Sequence, residues 1–116
     1  MFLRMQAGEI AATLAQDLNR VPGARGVNNH MGSGFTEDDE KMSVLLSELK
    51  KRQLFYIDSR TSSRAVGFEL AARMGVPAAK RSIFLDNDVD PRAIRMQLER
   101  LMGMARHAGS AIGIAH

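Results

Sequence analysis

Four short stretches of this chain that are expected to form strands each lead to a residue that can bind a metal ion or transfer a proton. These residues are His30, Asp58, Asp86 and His116, and they are separated by 28, 28 and 30 positions. A strand, a loop and a helix that returns the chain to the next parallel strand take about 30 residues together. The recurrence therefore predicts an α/β fold in which helices alternate with the strands of a parallel sheet.

Helical patterns fill the intervals between these runs. Met42, Leu45, Leu46 and Leu49 stand at the spacing of one helix face, and this is the strongest such pattern in the chain. The expected helices span residues 9–20, 36–52, 61–74 and 90–108, and the expected strands span 24–27, 54–57, 82–85 and 111–114. The expected order is αβαβαβαβ.

Capping residues set the expected helix boundaries. Short polar side chains at a helix start can accept hydrogen bonds from the first backbone amides, and glycine readily ends a helix in the left-handed conformation. The candidates at the starts are Thr36, Thr61 or Ser62, and Asp90 before Pro91; those at the ends are Gly75 and Gly109.

Chain length and charge limit the classes of protein that fit this pattern. The 116 residues match one domain or part of one, well short of the roughly 250 residues of a complete eight-stranded β/α barrel. The 16 basic residues are scattered among 13 acidic ones, so we expect no nucleic-acid partner. No apolar run is long enough for a membrane-spanning segment, the first residues do not match a signal-peptide core, and nothing indicates an oligomeric state.

The residues at the strand ends are the first candidates for a functional site. In a parallel sheet all carboxyl ends lie on one edge, so His30, Asp58, Asp86 and His116 are expected to face one crevice. Imidazole and carboxylate groups are ligands for zinc, manganese or iron, and a catalytic zinc usually keeps three protein ligands and one position for water. The pattern is therefore typical of a metal-dependent site.

Structural explanations remain open for the same residues. Asp58 and Asp86 could instead accept hydrogen bonds from backbone amides of the loops that they begin. His116 ends the chain and could be only a boundary or tag residue. His30 differs, because the loop 28–34 holds several hydrogen-bonding side chains and two glycines. The run 58–63 could hold an anionic or sugar-like group, or its hydroxyls could only cap the next helix.

Four stretches of the sequence resemble the divergent polysaccharide deacetylase family. They are Gly26–Ser33, Tyr56–Ser62, Ile83–Asn87 and Ala111–His116. The resemblance implies a distorted (β/α) barrel, like that of metal-dependent carbohydrate deacetylases. The usual site of those enzymes combines an aspartate from the first strand with two histidines, and a further histidine near the last strands acts as an acid.

The residues match this pattern only in part. Asn29-His30 resembles the start of the histidine motif, but Gly34 stands where the second histidine would be. Ile114-Ala115-His116 resembles the late motif, which makes His116 an acid or a replacement ligand. The first-strand aspartate has no counterpart, so we expect residues 1–116 to be a single partial domain that lacks N-terminal strands and a C-terminal segment of the barrel and is inactive alone.

The resemblance implies a metal-dependent hydrolase that removes acetyl groups from an envelope carbohydrate, in the periplasm or cell envelope. His30 and His116 would hold a divalent metal, with zinc the first choice, and Asp58, Asp86 and His116 would be catalytic. The carbohydrate substrate would be bound by Asn28, Asn29, Ser33, Arg60 and Thr61. The alternative is a catalytically inactive carbohydrate-binding or envelope-organising module, to which Gly34 points; a third reading makes the polar strand ends mere loop and cap residues.

Overall fold

The structure of the protein is a computed structural model, and it describes residues 6–29 and 33–116, with the side chain of Ser33 left out. The chain forms two compact units: unit 1 ends at Ala79, and unit 2 is Lys80–His116. The elements in order are α1 (Ala7–Arg20), β1 (Gly26–Asn29), α2 (Ser33–Thr36), α3 (Asp39–Lys51), β2 (Phe55–Asp58), α4 (Gly67–Met74), β3 (Ala78–Lys80), β4 (Ile83–Phe84), α5 (Pro91–Ala108) and β5 (Gly113–Ile114).

The strands form two small sheets. One has the order β1-β2-β3, and β1 runs parallel to β2 with Gly26 opposite Phe55 and Asn29 opposite Asp58. The other consists of β4 and β5, also parallel, with Ile83 opposite Gly113. Because helices connect the parallel strands, the α/β fold with alternating helices is confirmed.

The core of unit 1 lies between one face of the β1-β2-β3 sheet and helices α1, α3 and α4. The predicted stripe of α3 is buried as expected, since Met42, Leu46 and Leu49 are 0% exposed. From α1 the side chains of Ile10 and Leu14 complete this core. Apolar burial of this kind is the main stabilising contribution to such a unit.

Successive residues of a strand point to opposite faces of its sheet, and β1 and β2 differ sharply between the two faces. Val27 and Tyr56 pack into the core. On the other face Asn28 is exposed and Phe55 remains 42% exposed. The Phe55 ring lies across Gly26, where a Cβ atom would come within 2.2 Å of the ring, so a larger residue at position 26 would require the ring to move.

In unit 2, helix α5 follows the expected boundaries. The Asp90 carboxylate accepts a hydrogen bond from the Arg92 amide at 2.8 Å, Pro91 opens the helix, and Gly109 ends it with a φ of 90°. The Gln97 side chain donates to the carbonyl oxygen of Phe84 at 2.9 Å and so joins α5 to β4. None of the α5 residues is fully buried.

Several boundaries differ from the predicted ones. Asp38, not Thr36, caps α3, because Thr36 ends the separate helix α2 and its carbonyl accepts from the Val66 amide at 2.9 Å. Helix α4 starts at Gly67 rather than near Thr61 or Ser62, since the Ser62 hydroxyl accepts from the nearby Arg64 amide and makes a local turn.

Two further differences concern strands. β1 includes Asn28 and Asn29, which the sequence placed in a loop, and β3 was not predicted at all. Its Ala-Ala-Lys sequence has low β propensity, and β3 forms because it can pair with β2, beginning at the 2.9 Å bond from the Tyr56 amide to the Pro77 carbonyl. Within the described residues 6–29 and 33–116, no helix combines the length and apolar character needed to cross a bilayer.

Candidate functional site

The two asparagines at the end of β1 are bound to the end of β2. The Asn28 amide group donates to the Ile57 carbonyl at 2.9 Å and to the Ser59 hydroxyl at 2.7 Å. The Asn29 side-chain oxygen accepts from the Ser59 amide at 2.9 Å. Both predicted substrate-binding residues therefore hold the carboxyl ends of two neighbouring strands together, and Asn28 also reaches the exposed face of the sheet.

Asp58 is buried at the end of β2 and binds two backbone amides. Its Oδ1 accepts from Arg60 at 2.8 Å and its Oδ2 accepts from Phe68, in the first turn of α4, at 3.1 Å. The side chain is 0% exposed. The carboxylate therefore fixes the start of the following loop and of α4, which is the structural role that the sequence left open for Asp58. A catalytic role for Asp58 stays a prediction.

The loop after β2 has an unusual conformation at Arg60, whose φ of 48° lies in the left-handed region. The Arg60 guanidinium donates to the Glu69 carboxylate of α4 at 2.7 and 3.2 Å. Thr61 next to it is exposed. Of the two predicted sugar-binding residues in this loop, Arg60 is thus engaged by a carboxylate, whereas Thr61 faces solvent.

A second contact holds the same loop against the segment before α3. The Ser62 hydroxyl donates to the Glu37 carboxylate, whose other oxygen lies 3.3 Å from the Arg64 guanidinium. Together with the Val66-to-Thr36 backbone bond, this fixes the loop at both ends. Residues 62–66 are therefore held against the segment between α2 and α3.

In unit 2, Asp86 and His116 form a closely bound pair at the ends of β4 and β5. The His116 backbone amide donates to Asp86 Oδ2 at 2.5 Å, and His116 Nδ1 lies 3.0 Å from Asp86 Oδ1. The hydrogen bonds from the side chain and then the backbone of His116 lower the pKa of the Asp86 carboxyl. A negative carboxylate at Nδ1 favours the tautomer with its proton on that nitrogen.

Two residues that the sequence did not single out support this pair. The Phe84 ring lies 5.9 Å from the His116 ring, at 30° to it, and the Arg81 guanidinium carbon lies 3.9 Å from the centre of the Phe84 ring. Arg81 and Phe84 precede the Asp86 strand end by only a few residues. Their sequence signal is weak, since an arginine and a phenylalanine at a strand are common without any function.

Tyr56 is a further polar group that the sequence analysis treated only as part of a strand. Its side chain is 0% exposed, and its hydroxyl has no hydrogen-bond partner among the described residues. Burial, and next the negative charge of Asp58, raise the pKa of Tyr56 well above its usual range. The Tyr56 hydroxyl is therefore both buried and close to the negative charge of Asp58, and each condition disfavours its ionisation.

The predicted site residues thus form two groups. Asn28, Asn29 and Asp58 come together in unit 1, and Asp86 and His116 come together in unit 2. His30 and the side chain of Ser33 lie outside the described residues, so the proposed ligand role of His30 stays a prediction. Within residues 6–29 and 33–116, no three histidine or acidic side chains converge in a way that could hold a metal.

The donor groups that are described fit one arm of a metal site. His116 is oriented by a carboxylate at Nδ1, as histidine ligands of metals commonly are. His116 alone cannot hold a metal ion, and His30 is the further ligand that the sequence predicts.

Comparison with known proteins decides the family. The sequence profile described as divergent polysaccharide deacetylase matches residues 1–116. The chain belongs to this family. A divergent polysaccharide deacetylase fold agrees with the parallel strands and alternating helices described above.

Similar proteins are longer than this divergent polysaccharide deacetylase chain. It is 36% identical over 116 residues to an uncharacterized protein of Haemophilus influenzae (strain ATCC 51907 / DSM 11121 / KW20 / Rd), covering all of this chain and 41% of that protein. It is 36% identical over 112 residues to the uncharacterized protein YibQ of Escherichia coli (strain K12), covering 97% of this chain and 35% of YibQ. The chain therefore spans well under half the length of these curated relatives.

A solved structure is also similar. The crystal structure of the uncharacterized protein ATU2773 from Agrobacterium tumefaciens C58 superimposes with a TM-score of 0.81 at 26% identity, over 94% of this chain and 46% of that one. The likeness is consistent with part of a (β/α) barrel, as predicted.

Proposed function

We propose that the intact protein containing this chain removes acetyl groups from an envelope carbohydrate by metal-dependent hydrolysis, in the periplasm or cell envelope. The observation that carries the proposal is the Asp86–His116 pair, in which a carboxylate binds His116 at both the backbone amide and Nδ1. Membership of the divergent polysaccharide deacetylase family supports the choice of a carbohydrate substrate.

His116 acts through its Nε2 atom. Asp86 accepts a hydrogen bond from the His116 backbone amide and contacts the imidazole at Nδ1, which orients the ring; the ring then gives a proton from Nε2 to the oxygen or nitrogen that leaves the acetyl group. The Phe84 ring packs against the imidazole and restricts its rotation. Each of these contacts prepares a proton donor whose position does not depend on the substrate.

A divalent metal, zinc first, would activate water and polarise the acetyl carbonyl when bound. His30 is the ligand proposed from the family motif, and His116 Nε2 is the second candidate. The acid role and the ligand role of His116 use the same nitrogen, so they exclude each other and can be separated by experiment.

Asp58 is proposed to position the site rather than to act as its base. Both of its oxygens are occupied by backbone amides and its side chain faces the helices. Thr61 and Asn28, which are exposed, are better placed to bind a sugar than Arg60, which is paired with Glu69.

The test measures zinc content and acetate release from acetylated chito-oligosaccharides with the full-length protein. We expect His116→Ala to lower the rate by about 10²–10⁴-fold. Retained zinc in that variant would assign the acid role, and lost zinc the ligand role. His107, exposed near the end of α5, gives the control His107→Ala, which should change neither quantity.

The proposal is wrong if the full-length protein neither holds a metal nor releases acetate. The second candidate function, a catalytically inactive carbohydrate-binding or envelope-organising module, is favoured by Gly34 at the position of a usual histidine ligand. Glycan binding that persists after chelation and in His30→Ala, without acetate release, would support that second function.

A further inference from the structure

Unit 2 contains a shallow groove that has no role in the proposed hydrolysis. It lies between the β4–α5 loop and the first turns of α5, and it has a volume of about 240 Å³. Its walls are formed by Asn87, Asp88, Ala93, Met96 and Gln97.

Polar groups of this groove have hydrogen-bonding capacity to spare. Asp88 uses Oδ1 to accept from the Asp90 amide at 2.9 Å, and Gln97 uses its Nε2 to donate to Phe84, which leaves Asp88 Oδ2 and Gln97 Oε1. The Asn87 side chain is exposed, and within residues 6–29 and 33–116 no hydrogen bond is made by its amide. The groove therefore offers two acceptors and one complete amide to a ligand.

The rest of the lining is apolar. Met96 is 68% exposed, which leaves a large part of a methionine side chain in contact with water, and Ala93 lies beside it. A few polar groups around an apolar surface are typical of small-molecule sites, where the polar groups fix orientation. Methionine adapts its shape to different apolar partners.

The chemistry of the lining disfavours an anionic ligand and suits one that bears hydroxyl groups. Neither lysine nor arginine lines the groove, and the Asp88 carboxylate disfavours an anion. A sugar ring fits, because its hydroxyl groups can bind amide and carboxylate groups at its rim while its C–H face covers Met96. A volume below the usual 300–1,000 Å³ of ligand pockets limits the occupant to a single ring.

We infer that this groove is a subsite for one sugar ring of the carbohydrate chain, next to the Asp86–His116 pair. Asn87 directly follows Asp86 in sequence, so the subsite begins where the pair ends. The inference rests on the proposed function for the identity of the ligand as a carbohydrate. Asn87, Asp88 and Gln97 bind the hydroxyl groups, and Met96 contacts the face of the ring.

The experiment follows methionine methyl groups by NMR in full-length protein labelled with [methyl-¹³C]methionine, during titration with tri-N-acetylchitotriose. Signals are assigned with Met96→Leu and Met102→Leu. We expect the Met96 methyl signal to shift saturably, whereas Met102, 53% exposed on the same helix but outside the groove, should not move.

A matched pair of variants then tests the polar wall. Asn87→Ala should raise the dissociation constant about fivefold, the effect of one lost hydrogen bond. Asn19→Ala changes an exposed asparagine of α1 and should leave the constant unchanged. An unaltered constant in Asn87→Ala would remove the asparagine from the site.

The Met96 signal and acetate release together distinguish failure of the subsite from failure of the proposed hydrolysis. Acetate release with an unmoved Met96 signal would overturn the subsite and leave the hydrolase proposal intact. A saturable Met96 shift without any acetate release would support the subsite in a protein that only binds carbohydrate. Equal shifts of Met96 and Met102, or no binding of the trisaccharide at all, would overturn the subsite.

Discussion

Tyr56 places a hydroxyl group in the core of unit 1, where the described residues offer it no partner. A buried polar group without a hydrogen bond costs about 1–3 kcal/mol. The same residue fills the space between α3 and the start of α4, as shown by Met42 and Gly67 close to its ring. Its apolar part therefore contributes to stability while its hydroxyl detracts from it.

The raised pKa of Tyr56 predicts a pH effect on stability. Because the phenol stays neutral in the folded state but can ionise in the unfolded state, stability should be fully present below pH 10 and fall above it, by up to about 1.4 kcal/mol per pH unit. Absorbance at 295 nm, compared with Tyr56→Phe, should show no phenolate from Tyr56 before cooperative unfolding. Ionisation near pH 10 in the folded protein would contradict this expectation.

Gly67 is required by the close approach of Tyr56. A Cβ atom at this position would lie 2.6 Å from the tyrosine hydroxyl oxygen, so Gly67→Ala should destabilise the protein by about 1–3 kcal/mol. In the Tyr56→Phe background the loss should be smaller. Urea unfolding measures both.

The control for Gly67 is another glycine in a first helical turn. Gly8 of α1 has no atom within 4 Å of an added Cβ, so Gly8→Ala should be neutral or stabilising by up to about 1 kcal/mol. Similar losses for the two alanine variants would show that the effect comes from the backbone and not from Tyr56.

At the scale of elements, Asp58 determines where α4 begins. Its carboxylate reaches across the loop to the Phe68 amide and so supplies from β2 the acceptor that a cap residue would normally provide. The residue that precedes α4, Val66, makes no side-chain cap. A strand end and a helix start are thereby joined by one buried side chain.

Removal of this carboxylate should therefore be costly. Asp58→Ala leaves two amides without an acceptor, and we expect a loss of about 3 kcal/mol of unfolding free energy, since hydrogen bonds to a charged group contribute roughly 1.5–3 kcal/mol each. Asp90→Ala removes an exposed cap of α5 and should cost about 1 kcal/mol. Equal losses in denaturant titrations would contradict the structural role of Asp58.

The helices and strands also show which structural features local sequence patterns can predict. The stripe of α3, the Asp90-Pro91 start of α5 and the glycine ends at Gly75 and Gly109 were correctly predicted, because each depends on neighbouring residues only. The start of α4 was misplaced because its acceptor lies ten positions away in β2. β3 was missed because its pairing with β2 outweighs the poor propensity of Ala-Ala-Lys.

In the candidate site, too, some features follow from the sequence pattern and others depend on contacts between distant residues. The spacing of strand ends correctly predicted that Asp86 and His116 would meet, since parallel neighbouring strands bring residues 30 positions apart together. It could not show that Asp58 faces the helices, because a shift of one residue along a strand reverses the face of the side chain. Nor could it show Phe84 and Arg81 beside His116, which depends on side-chain packing within unit 2.

At the scale of the whole molecule, the buried core is unevenly distributed. Among the described residues, every fully buried hydrophobic side chain except Ile83 belongs to unit 1. Unit 2 depends on the contacts of a long helix with two short strands, and none of the residues of that helix is fully buried. The two units should consequently differ in local stability.

Hydrogen exchange of the 116-residue chain can measure this difference. The amides of α3 should be protected more strongly than those of α5, because opening α3 exposes Met42, Leu45, Leu46 and Leu49. Helix length alone predicts the opposite order, since α5 has 18 residues and α3 has 13. Slower exchange in α5 would show that burial does not control local opening here.

The asparagine pair of β1 has a consequence for folding. Asn28 and Asn29 point to opposite faces of the sheet, yet both bind Ser59. Asn28 donates to the Ser59 hydroxyl, and Asn29 accepts from the Ser59 backbone amide. If β1 slipped by one residue against β2, both side chains would exchange faces and both contacts would be lost. In strands of only four residues, these contacts act together with the burial of Val27 to distinguish the correct alignment from a slipped one. The two side-chain amides therefore favour the native alignment of β1 and β2 at the place where Asn28, Asn29 and Asp58 come together.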